Sequence, residues 1–278
     1  MSDRKPHTHP LVTVSGAGSI GESVLAGLLG SGHPADRLRA TVRTAERAEH
    51  LARSYAVEVT TDNARAALGA DVLVLAVRPD QAEAVLAETV PRLASGAAVV
   101  SLVAGLPLDR IAPAGATPVH AFRVATNAVS IDRSGLLAVT PGRDVPEPVR
   151  NTVTGVLRRL GRVVTITEPQ QDTAASTLGS GAAFLALTAT GIDRAATEAG
   201  VSPDVARAFA ADALESAAAM LRGSDPTSTA AWDGLATPGG ITEAGLGRLL
   251  SAGAVDAMAD AVRAAVTRAA ELALPATP

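Results

Sequence analysis

Short apolar runs alternate with amphipathic segments over about the first 165 residues. The continuous apolar runs at 71–77 and 97–103 predict buried parallel strands, and helical patterns lie between them. Further strands are predicted at 118–124, 136–140 and 162–166, with a helix over about 146–160. This alternation predicts an α/β fold built on a doubly wound, mostly parallel sheet.

The pattern changes after Glu168-Pro169, where β-branched runs end and alanine-rich helical periodicity continues to the end of the chain. Ser202 is a predicted N-cap, and Pro203 is the first residue of a helix that extends to about Leu221. The pattern predicts three regions with the bounds 1–10 (a disordered tail), 11–167 (the sheet domain) and 168–278 (a helical domain).

The last predicted helix carries one apolar stripe of Val255, Met258, Val262, Ala265, Ala269 and Leu272. A helical region of about 110 residues rich in small apolar side chains is not expected to bury every apolar face alone. A homodimer or higher homo-oligomer is therefore expected, and the alternative is a self-contained bundle packed on the first domain.

Composition narrows the classes of function. The 278 residues are 47% hydrophobic but only 2% aromatic, so the core is expected to consist of Ala, Val and Leu. A net charge of −4 gives no electrostatic case for nucleic acid or an anionic membrane surface. We expect a cytoplasmic protein, because the chain has no apolar run of membrane length, no signal-peptide pattern and no cysteine.

The scarcity of lysine and tyrosine excludes several catalytic mechanisms. Lys5, in the predicted tail, is the only lysine, and Tyr55 is the only tyrosine. A Schiff-base lysine, a P-loop lysine and a Tyr-x-x-x-Lys pair are therefore absent from the folded region. His120 is the only histidine on a predicted strand, and no histidine and carboxylate pair has the spacing of a metal site.

A glycine motif lies between the first predicted strand, at 11–15, and an amphipathic helix. Gly16, Gly18 and Gly21 form G-x-G-x-x-G, with Ser19 and Ile20 between the last two glycines. In a dinucleotide site these glycines allow the tight turn, the approach of the pyrophosphate and the packing of helix on strand. The alternative is a glycine-rich turn that binds nothing.

The end of the second predicted strand bears on which dinucleotide is bound. No acidic residue stands where a ribose 2′-hydroxyl would be held, and Arg43, Thr44 and Arg47 follow the strand instead. Guanidinium and hydroxyl groups suit a 2′-phosphate, so NADPH is favoured over NADH. The alternative is a solvated, charged helix start.

Five segments resemble one known family in order and spacing. They are GAGSIGE at 16–22, ADVLVLAVRP at 70–79, SLVAGLPL at 101–108, GSGAAF at 179–184 and TPGGIT at 237–242. Together they resemble the pyrroline-5-carboxylate reductases, NAD(P)H enzymes that form proline, over nearly the whole chain.

The resemblance implies an N-terminal Rossmann domain followed by an all-helical C-terminal dimerisation domain, with the active site at the dimer interface. Ser180, Gly181 and the helix start after them would hold the carboxylate of a cyclic imine. The resemblance also implies pocket-lining roles for Thr237, Gly239, Gly240 and Thr242, and cofactor contacts for Ala76, Val77, Arg78, Pro79 and Asn127.

The implied reaction needs little acid–base chemistry, because a cyclic imine can enter already protonated and then requires only a hydride. The hydroxyl of Ser180 or Thr242, or an ordered water, would hold the imine nitrogen.

The chain departs from the family pattern near the substrate. The segment 123–129 lacks both family prolines, Ala182 and Phe184 replace a proline and a tyrosine, and Leu178 and Leu185 replace hydroxyl-bearing residues. Three hypotheses remain open: a pyrroline-5-carboxylate reductase, a reductase of a different or substituted cyclic imine in specialised metabolism, and a non-catalytic NADP(H)-binding dimer.

Overall fold

A computed structural model describes residues 9–112, 119–127, 135–223 and 235–272. Residues 1–8 of the predicted tail and the first residue of the strand predicted at 118–124 lie outside the described residues.

The described residues contain one eight-stranded sheet in the order β3-β2-β1-β4-β5-β6-β7-β8. The strands are β1 (Val12–Ser15), β2 (Leu38–Thr41), β3 (Glu58–Thr60), β4 (Val72–Leu75), β5 (Ala98–Ser101), β6 (His120–Ala125), β7 (Leu136–Pro141) and β8 (Arg162–Thr165). All neighbours are parallel except β6 and β7, which pair antiparallel. The predicted doubly wound, mostly parallel sheet is confirmed.

Helices connect and follow the strands. They are α1 (Ser19–Gly30), α2 (Ala45–Tyr55), α3 (Asn63–Ala67), α4 (Ala82–Thr89), α5 (Leu108–Ile111), α6 (Glu147–Arg158), α7 (Gln171–Ala174), α8 (Gly181–Glu198), α9 (Pro203–Gly223), α10 (Ile241–Ser251) and α11 (Ala254–Leu272). Pro203 is the first residue of α9, as the Ser202-Pro203 signal predicts.

The central strands β1, β4 and β5 are buried on both faces. In β4, Val72 and Val74 pack in one hydrophobic cluster with α1, whereas Leu73 and Leu75 pack in a second cluster with α4. Alternate residues of a strand point to opposite faces, so continuous apolar runs are needed where helices cover both sides. This requirement explains why the central strands lack polar alternation.

Two compact units divide the chain: residues 1–179 with 266–278, and residues 180–265. In the second unit α8 and α9 pack against each other, and the buried side chains among its described residues are small: Ala189, Ala206 and Ala210. The predicted boundary between 167 and 168 rests on sequence composition and stays a prediction.

The helical stretch Glu168–Glu198 is long and apolar enough, by length and composition alone, to cross a membrane. Of its most apolar 18 residues, 11% are buried within the chain. Exposed apolar surface of this kind marks protein–protein or membrane interaction sites.

His9, His33 and Arg159 form a small basic cluster near the start of the described chain. His33 is buried, and its Nε2 lies 3.4 Å from the carbonyl oxygen of Arg37. The ring of His9 lies 5.4 Å from that of His33, and a guanidinium nitrogen of Arg159 lies 3.3 Å from His9 Nδ1. Burial lowers the pKa of His33, and the nearby His9 and Arg159 act in the same direction.

This lowered pKa predicts an acid-sensitive term in stability. The unfolded chain binds a proton at His33 near its ordinary pKa of about 6.5, whereas the folded chain keeps the ring neutral, so stability falls as pH decreases below about 6.5. We expect the melting temperature to fall more between pH 7.5 and pH 5.5 for the unsubstituted protein than for His33→Gln. Equal decreases in the two proteins would contradict this assignment.

Candidate functional site

The glycine turn after β1 is shaped by close backbone approach. Gly16 has a φ of +90°, and its N–H lies 3.2 Å from the Oγ1 of Thr41, to which it donates. A Cβ at Gly16 would lie 2.6 Å from Cγ1 of Val77, the residue two positions past β4. Only glycine suits both the backbone angle and the space at this position.

The other two glycines differ from each other. A Cβ at Gly21 would lie 2.3 Å from the carbonyl oxygen of Gly16, so α1 packs directly on the turn. Gly18 is the N-cap of α1, and a Cβ there would meet no atom within 4 Å. The turn therefore has an open approach at Gly18, beside the unpaired N–H groups of a helix start, which fits a dinucleotide pyrophosphate.

The predicted cofactor residues after β4 adjoin this turn. Ala76 donates its N–H to the carbonyl of Ser15 at 2.8 Å, which joins the ends of β4 and β1. Pro79 begins a 3₁₀ turn, and Arg78, just before it, is exposed and paired with Asp80 at 2.5 Å. Ser19 is the first residue of α1, and Ile20 is 38% exposed.

A cavity of about 140 Å³ lies at the carboxyl ends of β5 and β6. Its lining comprises Ile20, Ser101, Leu102, Val103, Ala104, Arg123, Val124, Ala125, Thr126, Gln171 and Ala175. Ligands of open α/β sheets bind outside the carboxyl ends of the strands, so this cavity continues the site that begins at the glycine turn.

A buried polar network supports the cavity. Arg123, 7% exposed in β6, pairs with Glu168 at 3.4 Å and with Asp172 at 3.1 Å. The side-chain amide of Gln171 donates to the carbonyl of Arg123 at 3.3 Å and to Oγ1 of Thr140 at 2.8 Å. Sequence reasoning missed this network, for which an arginine inside an apolar strand was the available signal.

The three residues predicted to contact a 2′-phosphate differ in whether they already have partners within the protein. Arg43 lies past the end of β2 and is exposed, with no hydrogen bond or ion pair to any residue that the structure describes. Thr44 is the N-cap of α2, and its Oγ1 accepts the N–H of Arg47 at 3.3 Å. The guanidinium of Arg47 is paired with Glu22 on α1, so this cation already has a partner.

Asn127, predicted to lie near the nicotinamide ribose, contacts the helical stretch after α7. Its side-chain amide donates to the carbonyls of Leu178 at 3.2 Å and Gly179 at 3.3 Å. These bonds join the chain just past β6 to the segment before α8.

The helix start expected at Ser180 and Gly181 is absent, which corrects the sequence-based expectation. Ala175–Ser180 is a π-helical segment that continues into α8, and Ser180 has α-helical backbone angles. Within a continuous helix the N–H groups donate to carbonyls of the preceding turn, so Gly181 does not present the free donors of a helix start. The hydroxyl of Ser180 remains as a candidate donor.

The second predicted helix start is present. Gly240 is the N-cap of α10, and its N–H donates to the carbonyl of Thr237 at 2.9 Å. Gly239 has a φ of +73°, and its N–H donates to a carboxylate oxygen of Glu243 at 2.7 Å. Thr242 lies half-buried in the first turn of α10. Both glycine N–H groups are thus engaged within the turn, and the donors left for a ligand are the first-turn N–H groups of α10 and the hydroxyls of Thr237 and Thr242.

Among the described residues, no group of three or more histidine, cysteine or acidic side chains could hold a metal ion.

Two family models match the chain. The model described as "NADP oxidoreductase coenzyme F420-dependent" covers residues 11–105, and "Pyrroline-5-carboxylate reductase dimerisation" covers residues 168–272. A pyrroline-5-carboxylate reductase of Mycobacterium tuberculosis is 32% identical over 94% of this chain and 96% of its own length. The chain belongs to the pyrroline-5-carboxylate reductase family. The corresponding protein of Corynebacterium melassecola is 30% identical over 94% of this chain and 98% of its own length.

A solved structure agrees with this family. The pyrroline-5-carboxylate reductase of Coxiella burnetii has a TM-score of 0.85, with 26% identity, and covers 96% of this chain and 100% of its own. The predicted fold class, an N-terminal Rossmann domain followed by a helical dimerisation domain, is confirmed. This member of the pyrroline-5-carboxylate reductase family is an NAD(P)H-dependent oxidoreductase.

The glycine turn yields a matched pair of variants. Gly21→Ala places a methyl group against the backbone of Gly16, so we expect a loss of about 1–3 kcal/mol in the free energy of unfolding. Gly18→Ala places its methyl group in open space, so we expect an unchanged melting temperature and weaker binding of NADPH. Denaturant unfolding and cofactor titration measure the two effects. Equal stability losses would contradict the steric argument.

Proposed function

We propose that this protein reduces 1-pyrroline-5-carboxylate to proline with a hydride from NADPH. The structural observation that carries the proposal is the open glycine turn at Gly18, which shares one edge of the sheet with the cavity at the ends of β5 and β6. Relatives named for this activity at 30% and 32% identity over nearly their whole lengths support it.

The dinucleotide fits the residues present. Gly16, Gly18, Ser19, Ile20 and Gly21 would hold the pyrophosphate at the start of α1. The 76–79 segment would lie beside the cofactor, and Asn127, which follows the cavity-lining Thr126 in the chain, would lie near the nicotinamide ribose. Arg43, Thr44 and Arg47 would select the 2′-phosphate, and the preference for NADPH over NADH is part of the proposal.

The reaction transfers a hydride from NADPH to the imine carbon. The nitrogen of a protonated cyclic imine takes the electron pair of its C=N bond and keeps its proton, so the products are the amine and NADP⁺. We propose that Ser180 or Thr242 holds that nitrogen through its hydroxyl. The protein then acts mainly by positioning, which agrees with a chain whose only lysine is Lys5.

Thr237, Gly239, Gly240 and Thr242 would line the proposed carboxylate site, where the first-turn N–H groups of α10 and the hydroxyls of Thr237 and Thr242 are offered to an anion. The other proposed carboxylate contact, at Ser180 and Gly181, differs from the expectation. Ser180 offers its hydroxyl, whereas the backbone of Gly181 lies within a continuous helix.

A second candidate follows from these carboxylate donors. Glu243 holds the N–H of Gly239, and Gly181 lacks the donors of a helix start. Both observations favour a cyclic imine that depends less on a carboxylate than 1-pyrroline-5-carboxylate does. A reductase of such an imine is therefore the alternative.

We also propose that the protein is a homodimer. The dimerisation model matches 168–272, and large apolar side chains of this region are exposed: Leu185, Leu187, Ile192, Phe209, Leu221, Leu249, Leu250 and Val255. Apolar faces of this extent are characteristic of surfaces that associate.

An activity panel tests the proposal. Purified protein is assayed by NADPH oxidation at 340 nm with 1-pyrroline-5-carboxylate, 1-pyrroline-2-carboxylate, a six-membered imino acid and an imine without a carboxylate. We expect the highest kcat/KM for 1-pyrroline-5-carboxylate. Preference for the imine without a carboxylate would establish the second candidate, and NADPH binding without any turnover would indicate a non-catalytic dimer.

Arg43→Ala tests cofactor selection. Arg43 is exposed and free of other partners among the described residues, so its loss should remove a charge-assisted contact to the phosphate. We expect Kd for NADPH to rise about tenfold or more while Kd for NADH changes little. Arg53→Ala, which removes an exposed guanidinium from the last turn of α2, is the control. Equal weakening of both cofactors would remove the argument for phosphate recognition.

A further inference from the structure

Glu22 lies between α1 and α2, the two helices beside the glycine turn. It follows Gly21 directly, in the first turn of α1. Its carboxylate is paired with the guanidinium of Arg47, in the first turn of α2, and accepts a hydrogen bond from the hydroxyl of Tyr55 at 3.0 Å. One carboxylate therefore contacts both ends of α2.

This carboxylate adds negative charge beside the proposed phosphate site, in addition to that of Glu46 in the first turn of α2. The start of α2, just past β2, is the position at which a dinucleotide fold recognises the group on the adenosine ribose. A 2′-phosphate there is attracted by guanidinium groups and repelled by carboxylates. Glu22 neutralises one of the two arginines of the segment, and the 28% exposure of its side chain leaves it accessible to the field of a bound phosphate.

The remaining groups at the start of α2 offer limited compensation. Thr44 already accepts the N–H of Arg47, although its hydroxyl hydrogen remains available. Arg43 is exposed, so solvent screens its charge. Phosphate recognition in this chain thus depends on Arg43 and on how far Arg47 is held by Glu22.

We propose that Glu22 is a specificity-determining residue that limits the preference for NADPH over NADH by holding Arg47 in an ion pair. The inference rests on the proposed use of a nicotinamide dinucleotide. It adds that the strength of phosphate recognition is set by a carboxylate on α1, outside the segment that contacts the ribose.

Glu22→Gln tests this inference, because the amide oxygen can still accept the hydrogen bond from Tyr55 while the negative charge is removed. Kd values for NADPH and NADH are measured by cofactor fluorescence at fixed ionic strength. We expect the ratio of Kd for NADH to Kd for NADPH to rise about threefold to tenfold, chiefly through tighter NADPH binding.

Three controls separate release of Arg47 from other causes. In the Arg47→Ala background, Glu22→Gln should change the ratio by less than about twofold, since it removes only the direct repulsion between carboxylate and phosphate and releases no guanidinium. Glu49→Gln removes a carboxylate that pairs with Arg53 at 3.7 Å on the same helix, and it should also leave the ratio unchanged. Tyr55→Phe keeps the ion pair, so its ratio should match that of the unsubstituted protein.

Each outcome has one meaning. An unchanged ratio in Glu22→Gln, or an equal rise in Glu49→Gln or in the Arg47→Ala background, would overturn the inference. Failure of the unsubstituted protein to bind either cofactor would overturn it as well. Cofactor binding without turnover of any imine would contradict the proposed reaction instead, and the ratio would still decide the role of Glu22.

Discussion

The close contact between the glycine turn and the two strands beside it is the constraint on which the cofactor side depends. The space at Gly16 is limited by Val77 and by the carbonyl of Ala76, and the space at Gly21 is limited by Gly16 itself. Any side chain at either position would push α1 away from β1 or separate β1 from β4. The tight contacts at Gly16 and Gly21 hold the start of α1 in place, and the open side of the turn is at Gly18.

A second constraint acts at the other end of the site, where charge is buried. Arg123 requires carboxylates because an unpaired guanidinium inside the sheet would be costly, and Glu168 and Asp172 provide them. Glu168 also accepts the N–H of Leu108 at 2.8 Å. The same side chain thus joins β6 to the start of α5, and the cavity between the ends of β5 and β6 keeps its shape through polar contacts as well as apolar packing.

Local sequence patterns predict β4 and β5 because each is a continuous apolar run bounded by turns, as at 97–103, where β5 is observed as Ala98–Ser101. The glycine turn is predictable for the same reason, since its spacing encodes its geometry. The short β3 (Glu58–Thr60) has no buried residue and was not predicted. The partner of Arg47 is not predictable, because Glu22 is 25 residues away and meets it only through the packing of α1 on α2. The continuous helix through Ser180 is also hidden, since glycines at 179 and 181 suggest an interruption that a π-helical segment accommodates.

The single antiparallel pair in the sheet determines how the chain returns to the site. β7 and β8 run opposite to the other six strands. The chain therefore leaves β8 beside the amino ends of those six strands, whereas the glycine turn lies at their carboxyl ends. The helical stretch that follows must travel back along β6, and in doing so it brings Gln171 and Ala175 to the cavity and Gly179 to Asn127. A sheet domain cut after Thr167 would consequently lack one wall of its own cavity and would leave Arg123 without its carboxylates.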